Sequence, residues 1–182
     1  HGYHLDARAY ADLLREHARK LGIAIRAHDA PQAVVRDGRV TAIRLADGEE
    51  VAGDLFVDAT GTDASILAAI DESAPMATPI SGVNRRMQAE ANPLRPVPLY
   101  ARTTAHRAGW TTMLPMQGKV GIEVAYDSAA ISDEEAVRLT GAPLAGEPSF
   151  GSVAPQRRAR PWVGNIVAIG EAAEVADPIG ST

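Results

Sequence analysis

Cysteine is absent from this chain. That excludes disulfides, thiolate metal ligands and cysteine nucleophiles together, and it agrees with a cytoplasmic location, where thiols stay reduced. Aromatic residues make up only 4% of the sequence, so the core must rest on Ala, Val, Ile and Leu. No apolar run approaches the roughly 18–20 residues that cross a bilayer, and no basic-then-apolar leader opens the sequence, so a membrane partner is not expected. Positive charge is also in short supply. The formal net charge is -5, which argues against non-specific nucleic-acid binding. His4, His17, His28 and His106 lack metal-site spacing and are expected on helix faces or the surface, so no metal is expected. Asp6, Asp58, Glu90, Glu123 and Glu171 form no evident acid–base pair.

What is present suits a packed globular protein: 182 residues, 46% hydrophobic and 23% charged. Asp6 is a suitable N-cap for a helix over 7–21, with Tyr10, Leu13, Leu14, His17 and Leu21 on one face and Gly22 at its end. Alternation predicts a short strand over 23–27. Strands over 32–36 and 40–45, joined by Asp37-Gly38, and a third near Val51 after Asp47-Gly48 make a three-stranded meander. Leu55 to Gly61 reads as a buried strand ending in a small-residue turn, followed by a helix over 64–70. Prolines at 75, 79, 93, 96 and 98 then break up the middle of the chain. Strands are expected near 80–90, 99–106, 109–114 and 119–126, with a hairpin turn at Gln117-Gly118. Ser132 to Glu135 fits a capping box opening a short helix to about Leu139, and an extended stretch covers 150–158. There are no repeats and no low-complexity tract.

The stretch Asn165–Thr182 carries the most chemistry. Ile166 to Ile169 is an apolar run that stops at Gly170 and gives way to small residues, as a strand buried on both faces does. Asp177-Pro178 and Gly180-Ser181-Thr182 then offer a second helix start, and helix starts present free N–H groups to anions. Strand, glycine turn and anion-friendly helix start form a layout for a dinucleotide cofactor.

Several segments resemble the flavin-dependent tryptophan halogenases and their relatives among FAD monooxygenases. Tyr3-His4-Leu5-Asp6 is similar to the family's Y-H-F-D. Asp54 to Gly61 resembles its D-L-F-V-D-[CA]-T-G strand. Ala108 to Pro115 resembles A-G-W-x-W-x-I-P, and Ser132 to Ala136 resembles S-D-E-E-A. Trp162 to Thr182 resembles W-V-x-N-x-x-A-I-G-x-A-A-x-x-x-E-P-L-E-S-T. These matches run nearly end to end in the family's order.

The resemblance implies an α/β fold. A partial FAD-binding Rossmann layer of the glutathione-reductase kind, with a β-meander, would carry an inserted mixed β-sheet. The expected boundaries are 1–74 for the rear of the FAD-binding part, 75–160 for the inserted substrate-side sheet and 161–182 for the return. It also implies an internal fragment: the family's G-x-G-x-x-G loop and catalytic lysine would lie upstream, and neither Lys20 nor Lys119 takes that lysine's role. FAD contact is expected at Val35, Thr60, Gly61, Gly170, Glu171, Ala172, Ala173, Gly180, Ser181 and Thr182. The substrate and halide side is expected at Trp110, Pro115, Ser181 and Thr182. Arg157, Arg158 and Arg160 are expected to form a solvated basic turn rather than a phosphate contact.

Two positions depart from the family. The second Trp of its motif is Thr112 here, and the glutamate before Ser-Thr is Gly180. The activity implied is that of an FAD-dependent oxidoreductase. It would use reduced flavin from a separate reductase, dioxygen, and chloride or bromide to halogenate an electron-rich aromatic. A hydroxylase or reductase of the same fold is one alternative, and an inert structural fragment or degenerate flavin-binding module is another.

Overall fold

The structure, a computed structural model, describes residues 4–26, 30–78 and 81–176. In chain order these form helix α1 (Ala7–Lys20) and strands β1 (Gln32–Arg36), β2 (Arg39–Arg44), β3 (Glu50–Ala52), β4 (Phe56–Asp58), β5 (Met76–Ala77), β6 (Arg85–Ala91), β7 (Arg102–His106), β8 (Gly109–Pro115) and β9 (Val120–Tyr126). Helix α2 (Asp133–Arg138) follows, then β10 (Ser149–Ser152), β11 (Gln156–Arg157), β12 (Trp162–Val163), β13 (Ile166–Ala168) and β14 (Glu174–Val175). Short 3-10 turns occupy Leu67–Ala69 and Gly170–Ala172. The chain divides into two compact units. One holds Arg26–Thr78 and Pro155–Ala176, and the other holds the remaining described residues. Boundaries were expected at 74/75 and 160/161; they fall at Thr78 and Ala154, and α1 groups with the unit containing β6–β10.

The first unit is built on the meander β1-β2-β3 and on a mixed sheet in the order β12-β13-β4. Asp37-Gly38 and the turn ending at Gly48 make the meander, as the Asp-Gly pairs predict. β4 and β13 are parallel, with Phe56 opposite Ile166, Val57 opposite Val167 and Asp58 opposite Ala168. Val40, Phe56, Leu67 and Ile166 pack together with Ala64, Ala168 and Ala172. Small alanines let this aromatic-poor core close; each buried Leu or Ile contributes about 1.5–3 kcal/mol. Asn165 ties the two sheets of the unit, its Nδ2 donating to the Val40 carbonyl at 2.8 Å and the Asp54 carbonyl at 3.2 Å. β5, β11 and β14 form a third small sheet.

The second unit is a five-stranded sheet in the order β10-β6-β9-β8-β7. It is antiparallel throughout, where a mixed sheet was expected. Tight hairpins join β7 to β8 and β8 to β9, and antiparallel pairing is what short connections permit. One face is covered by α2 and its flanks, with Ile131 and Ala136 against Met87, Val124 and Tyr126. Ser132 caps α2 by accepting from the Glu135 N–H at 3.2 Å. The capping box is only half formed, because Glu135 instead accepts from Arg107 at 2.7 Å. α1 is N-capped by Asp6, yet none of its residues is buried; Tyr10, Leu13, Leu14 and Leu21 all lie on the surface.

Three local expectations change. Residues 23–26 form no strand. The expected helix over 64–70 is only a 3-10 turn over Leu67–Ala69: Ala64 has φ +46°, outside the right-handed helical region, and the Asp58 carboxylate accepts from the N–H groups of Ile66 and Leu67 at the start of the turn. The extended stretch over 150–158 is two strands in different units, β10 and β11, with Pro155 at the changeover.

α2 is fixed to its sheet by a polar cluster. Arg85 donates to Asp133 through Nε at 2.7 Å and Nη2 at 2.5 Å, and Tyr126 donates its hydroxyl to the same carboxylate at 2.6 Å. The Arg85 bonds, with help from Tyr126, hold the Asp133 carboxyl at a pKa of about 2, below its ordinary 3.8. A lowered carboxylate pKa stabilises the fold above the unfolded value and stops doing so once the folded group protonates. The stability difference between the native chain and Asp133→Asn should therefore be constant above about pH 5 and close as pH falls toward 2. Urea denaturation across that range checks this.

Candidate functional site

The C-terminal ends of the parallel strands β4 and β13 lie side by side, and each runs directly into a glycine bend. Ligands of open α/β sheets collect at this end of the strands. The Ile169 N–H donates to the Asp58 carbonyl at 2.9 Å, which keeps the bends Thr60-Gly61 and Gly170-Glu171 adjacent. Gly61 has φ +84° and Gly170 has φ +57°, the left-handed region that disfavours side chains. A Cβ at either position would meet nothing within 4 Å, so both bends face open space. Among the described residues, no hydrogen bond engages the backbone N–H of Gly61, Gly170 or Glu171. Two neighbouring bends with free N–H groups and no Cβ match what the close approach of a pyrophosphate or ribityl chain requires.

Asp58 builds the first bend. It is fully buried, and its carboxylate accepts four bonds: Thr60 N at 2.9 Å and Thr60 Oγ1 at 2.7 Å on Oδ1, and Ile66 N at 3.1 Å and Leu67 N at 2.8 Å on Oδ2. Burying a polar side chain costs free energy unless it is hydrogen-bonded, and both oxygens of Asp58 are satisfied.

Arg158 builds the junction. Its guanidinium donates to the carbonyls of Ala172 at 3.0 Å, Asp63 at 3.1 Å and Thr62 at 3.4 Å, spanning both bends. It acts as a structural clamp rather than as a freely solvated basic side chain. With a further bond from Nη1 to the Ser73 carbonyl at 3.5 Å, its four bonds all go to backbone carbonyls, which leave no residue-type trace in a sequence. Asn165 escaped notice for the same reason, although the family motif contains it.

Of the expected cofactor residues, Thr60, Gly61, Gly170 and Glu171 come together, with Ala172 and Ala173 just behind. Ala172 is buried in the core, and Glu171 is exposed. Val35 sits in the meander at the β-bulge between Val34 and Val35, and is 40% exposed rather than a core valine. Gly180, Ser181 and Thr182 lie outside the described residues, as do Tyr3 and His28.

In the five-stranded unit, strand alternation puts Trp110 and Pro115 of β8 on opposite faces. His4 Nδ1 donates to the Pro115 carbonyl at 2.6 Å. On the face of Trp110, away from α2, a polar row crosses the sheet. Thr103 pairs with Thr112, Thr112 with Glu123, Glu123 with Gln88, and Gln88 with Ser149. Glu123 is buried, 9% exposed, and accepts from Gln88 Nε2 at 2.9 Å. Burial raises its carboxyl pKa above the ordinary range, against weaker opposing pulls from Gln88 and Arg86. Nothing in the pattern of β9 as a sequence marked Glu123 as buried.

The tryptophan halogenase family model matches residues 1–182. The chain belongs to the tryptophan halogenase family. It is 29% identical to tryptophan 7-halogenase RebH of Lentzea aerocolonigenes, with all of this chain aligned to 36% of RebH. It is 26% identical to tryptophan 6-halogenase SttH of Streptomyces toxytricini, again over its whole length and 37% of that protein. The chain thus spans little more than a third of these curated relatives. Among solved structures it superposes on BrvH, a flavin-dependent halogenase from Brevundimonas sp. BAL3, with a TM-score of 0.87 and 28% identity, covering 97% of this chain and 38% of that one. The mixed α/β architecture is that of the family's fold.

Two outcomes are expected. Asp58→Asn keeps the shape but presents an NH2 group to N–H donors, so it should cost about 3 kcal/mol in chemical denaturation. Glu123, with its raised folded pKa, binds its proton more tightly in the folded state than in the unfolded one. Its contribution to stability therefore falls as pH rises from about 4.5 through that raised value. Glu123→Gln should gain on the native chain across that window and keep a constant advantage above it, as read by urea midpoints.

Proposed function

We propose that the full protein carrying this chain is an FAD-dependent halogenase of an electron-rich aromatic, and that the two glycine bends hold the cofactor. One observation carries the reading: the Thr60-Gly61 and Gly170-Glu171 bends stand side by side at the ends of parallel strands, open and with free N–H groups, in a chain that matches the halogenase family throughout. The unit containing the meander would be the rear of the flavin layer. Backbone amides of Gly61, Gly170 and Glu171 would meet phosphate and ribityl oxygens, and Val35 would lie toward the adenine end. Gly180, Ser181 and Thr182 would lie beside the flavin ring and the halide. When bound, reduced flavin supplies the activation of dioxygen that oxidises chloride or bromide. The chain's own part is to hold and orient the cofactor and to keep water from it. A separate reductase would supply the reduced flavin.

Thr112 and Gly180 favour a second reading, a hydroxylase of the same fold, because both replace family residues on the substrate side. Mass spectrometry of products from the full protein, given reduced flavin, bromide and indole-like compounds, separates the two. A mass gain of bromine supports halogenation, and a gain of oxygen alone supports hydroxylation.

Gly170→Val should weaken FAD binding at least about tenfold, because it adds a side chain where the cofactor approaches. Gly141→Val is the matched control: its φ is +62° with equally open surroundings, but it lies in the other unit. Flavin fluorescence titration of both variants checks the bend assignment. Equal losses would reduce the effect to backbone strain.

A further inference from the structure

We propose that the polar face of the five-stranded sheet is a second ligand site, which binds a small primary amine with an apolar body through the Glu123 carboxylate. A cavity of about 620 Å³ opens on this face, with Gln88, Thr112, Glu123 and Ser149 on its floor and Leu5, Leu114 and Met116 among its walls. That is the volume of a typical small-molecule site. The inference does not depend on the two glycine bends, because every residue lining the cavity belongs to the unit that does not contain them.

The floor is chemically lopsided. Glu123 is nine-tenths buried, and the one hydrogen bond it accepts from a described residue comes from a neutral amide. A buried carboxylate with one neutral donor is under-compensated, and an ammonium supplies the missing charge and up to three donors. The hydroxyl oxygens of Thr112 and Thr103, 3.1 Å apart on the same row, add acceptors beside it.

The other charges around the cavity also select a cation. Lys119 is already bridged to Asp6 and Glu90, each at 2.6 Å. Four carboxylates (Asp6, Glu90, Glu123 and Glu147) line the cavity against two cations, Arg8 and Lys119. Arg86, one row along the same face, attracts Glu123 without bonding to it. The apolar walls would take the hydrocarbon body of the ligand.

The space exists because residue 112 is threonine. Thr112 stands directly opposite Glu123 in the β8–β9 ladder. The motif that this strand resembles has Trp there, and an indole at that register would lie over the carboxylate. A small residue beside a buried acid uncovers that acid to a ligand.

Calorimetric titration of the full protein with 2-phenylethylamine and with 2-phenylethanol tests the site. The two probes share a body and differ in the charged head. The native protein should bind the amine at least about tenfold more tightly than the alcohol. Glu123→Gln should abolish that preference while leaving alcohol binding unchanged, with a melting temperature at or above the native one. Thr112→Trp should fill the cavity and remove binding of both. Equal affinity of the two probes for the native protein, no binding of either, or an amine preference that survives Glu123→Gln would each overturn the proposal.

Discussion

The Asp58 carboxylate is the constraint on which the flavin-type site depends. It ends β4, closes the Thr60-Gly61 bend with one oxygen and seats the following 3-10 turn with the other. Its backbone carbonyl receives the Ile169 N–H, so the same residue sets the position of the Gly170 bend. A single buried carboxyl side chain thus organises two loops from distant parts of the chain, 109 residues apart at Gly61 and Gly170. Arg158 completes the arrangement, with its donors directed to carbonyls where Asp58 directs acceptors to N–H groups. The two charges never meet, yet each satisfies backbone groups that a tight loop would otherwise leave unpaired.

Much of this was legible in the chain because it is local. Asp37-Gly38 specifies its own hairpin, and Ser132 specifies the start of α2. The run Leu55 to Gly61 shows both a buried strand and its terminating bend, although only Phe56–Asp58 keeps ladder geometry. What was not legible depends on partners far away. The helical spacing after Ser65 gives no sign that Asp58 captures its N–H groups. Arg158 reads as one of three arginines in a basic turn until its carbonyl partners are known. The amphipathic face of α1 reports what a helix is able to bury, and in this chain that face is on the surface. Glu123 lies in an otherwise apolar strand whose burial is set by its neighbours in the sheet.

The two faces of the five-stranded sheet divide the work of that unit. The face under α2 is closed by Met87, Val124, Tyr126 and the Asp133–Arg85 cluster, so it gives the unit its stability. The opposite face carries the polar row and the cavity, and packs less apolar surface. Strand alternation makes the division automatic, since one register presents Thr111 and Val124 to the core and Thr112 and Glu123 to the cavity.

The path of the chain between its units has a practical consequence. Arg26–Thr78 and Pro155–Ala176 interleave with the segments of the other unit, so neither unit corresponds to one continuous stretch of gene. A single proteolytic nick in the connection near residue 78 or 154 leaves pieces of both units on each side of the cut. Halves expressed from a simple split would each lack a strand of a shared sheet: β13 parts from β4, and the Gly170 bend from the Gly61 bend. Any shortened form that keeps the two glycine bends together must therefore retain both Arg26–Thr78 and Pro155–Ala176.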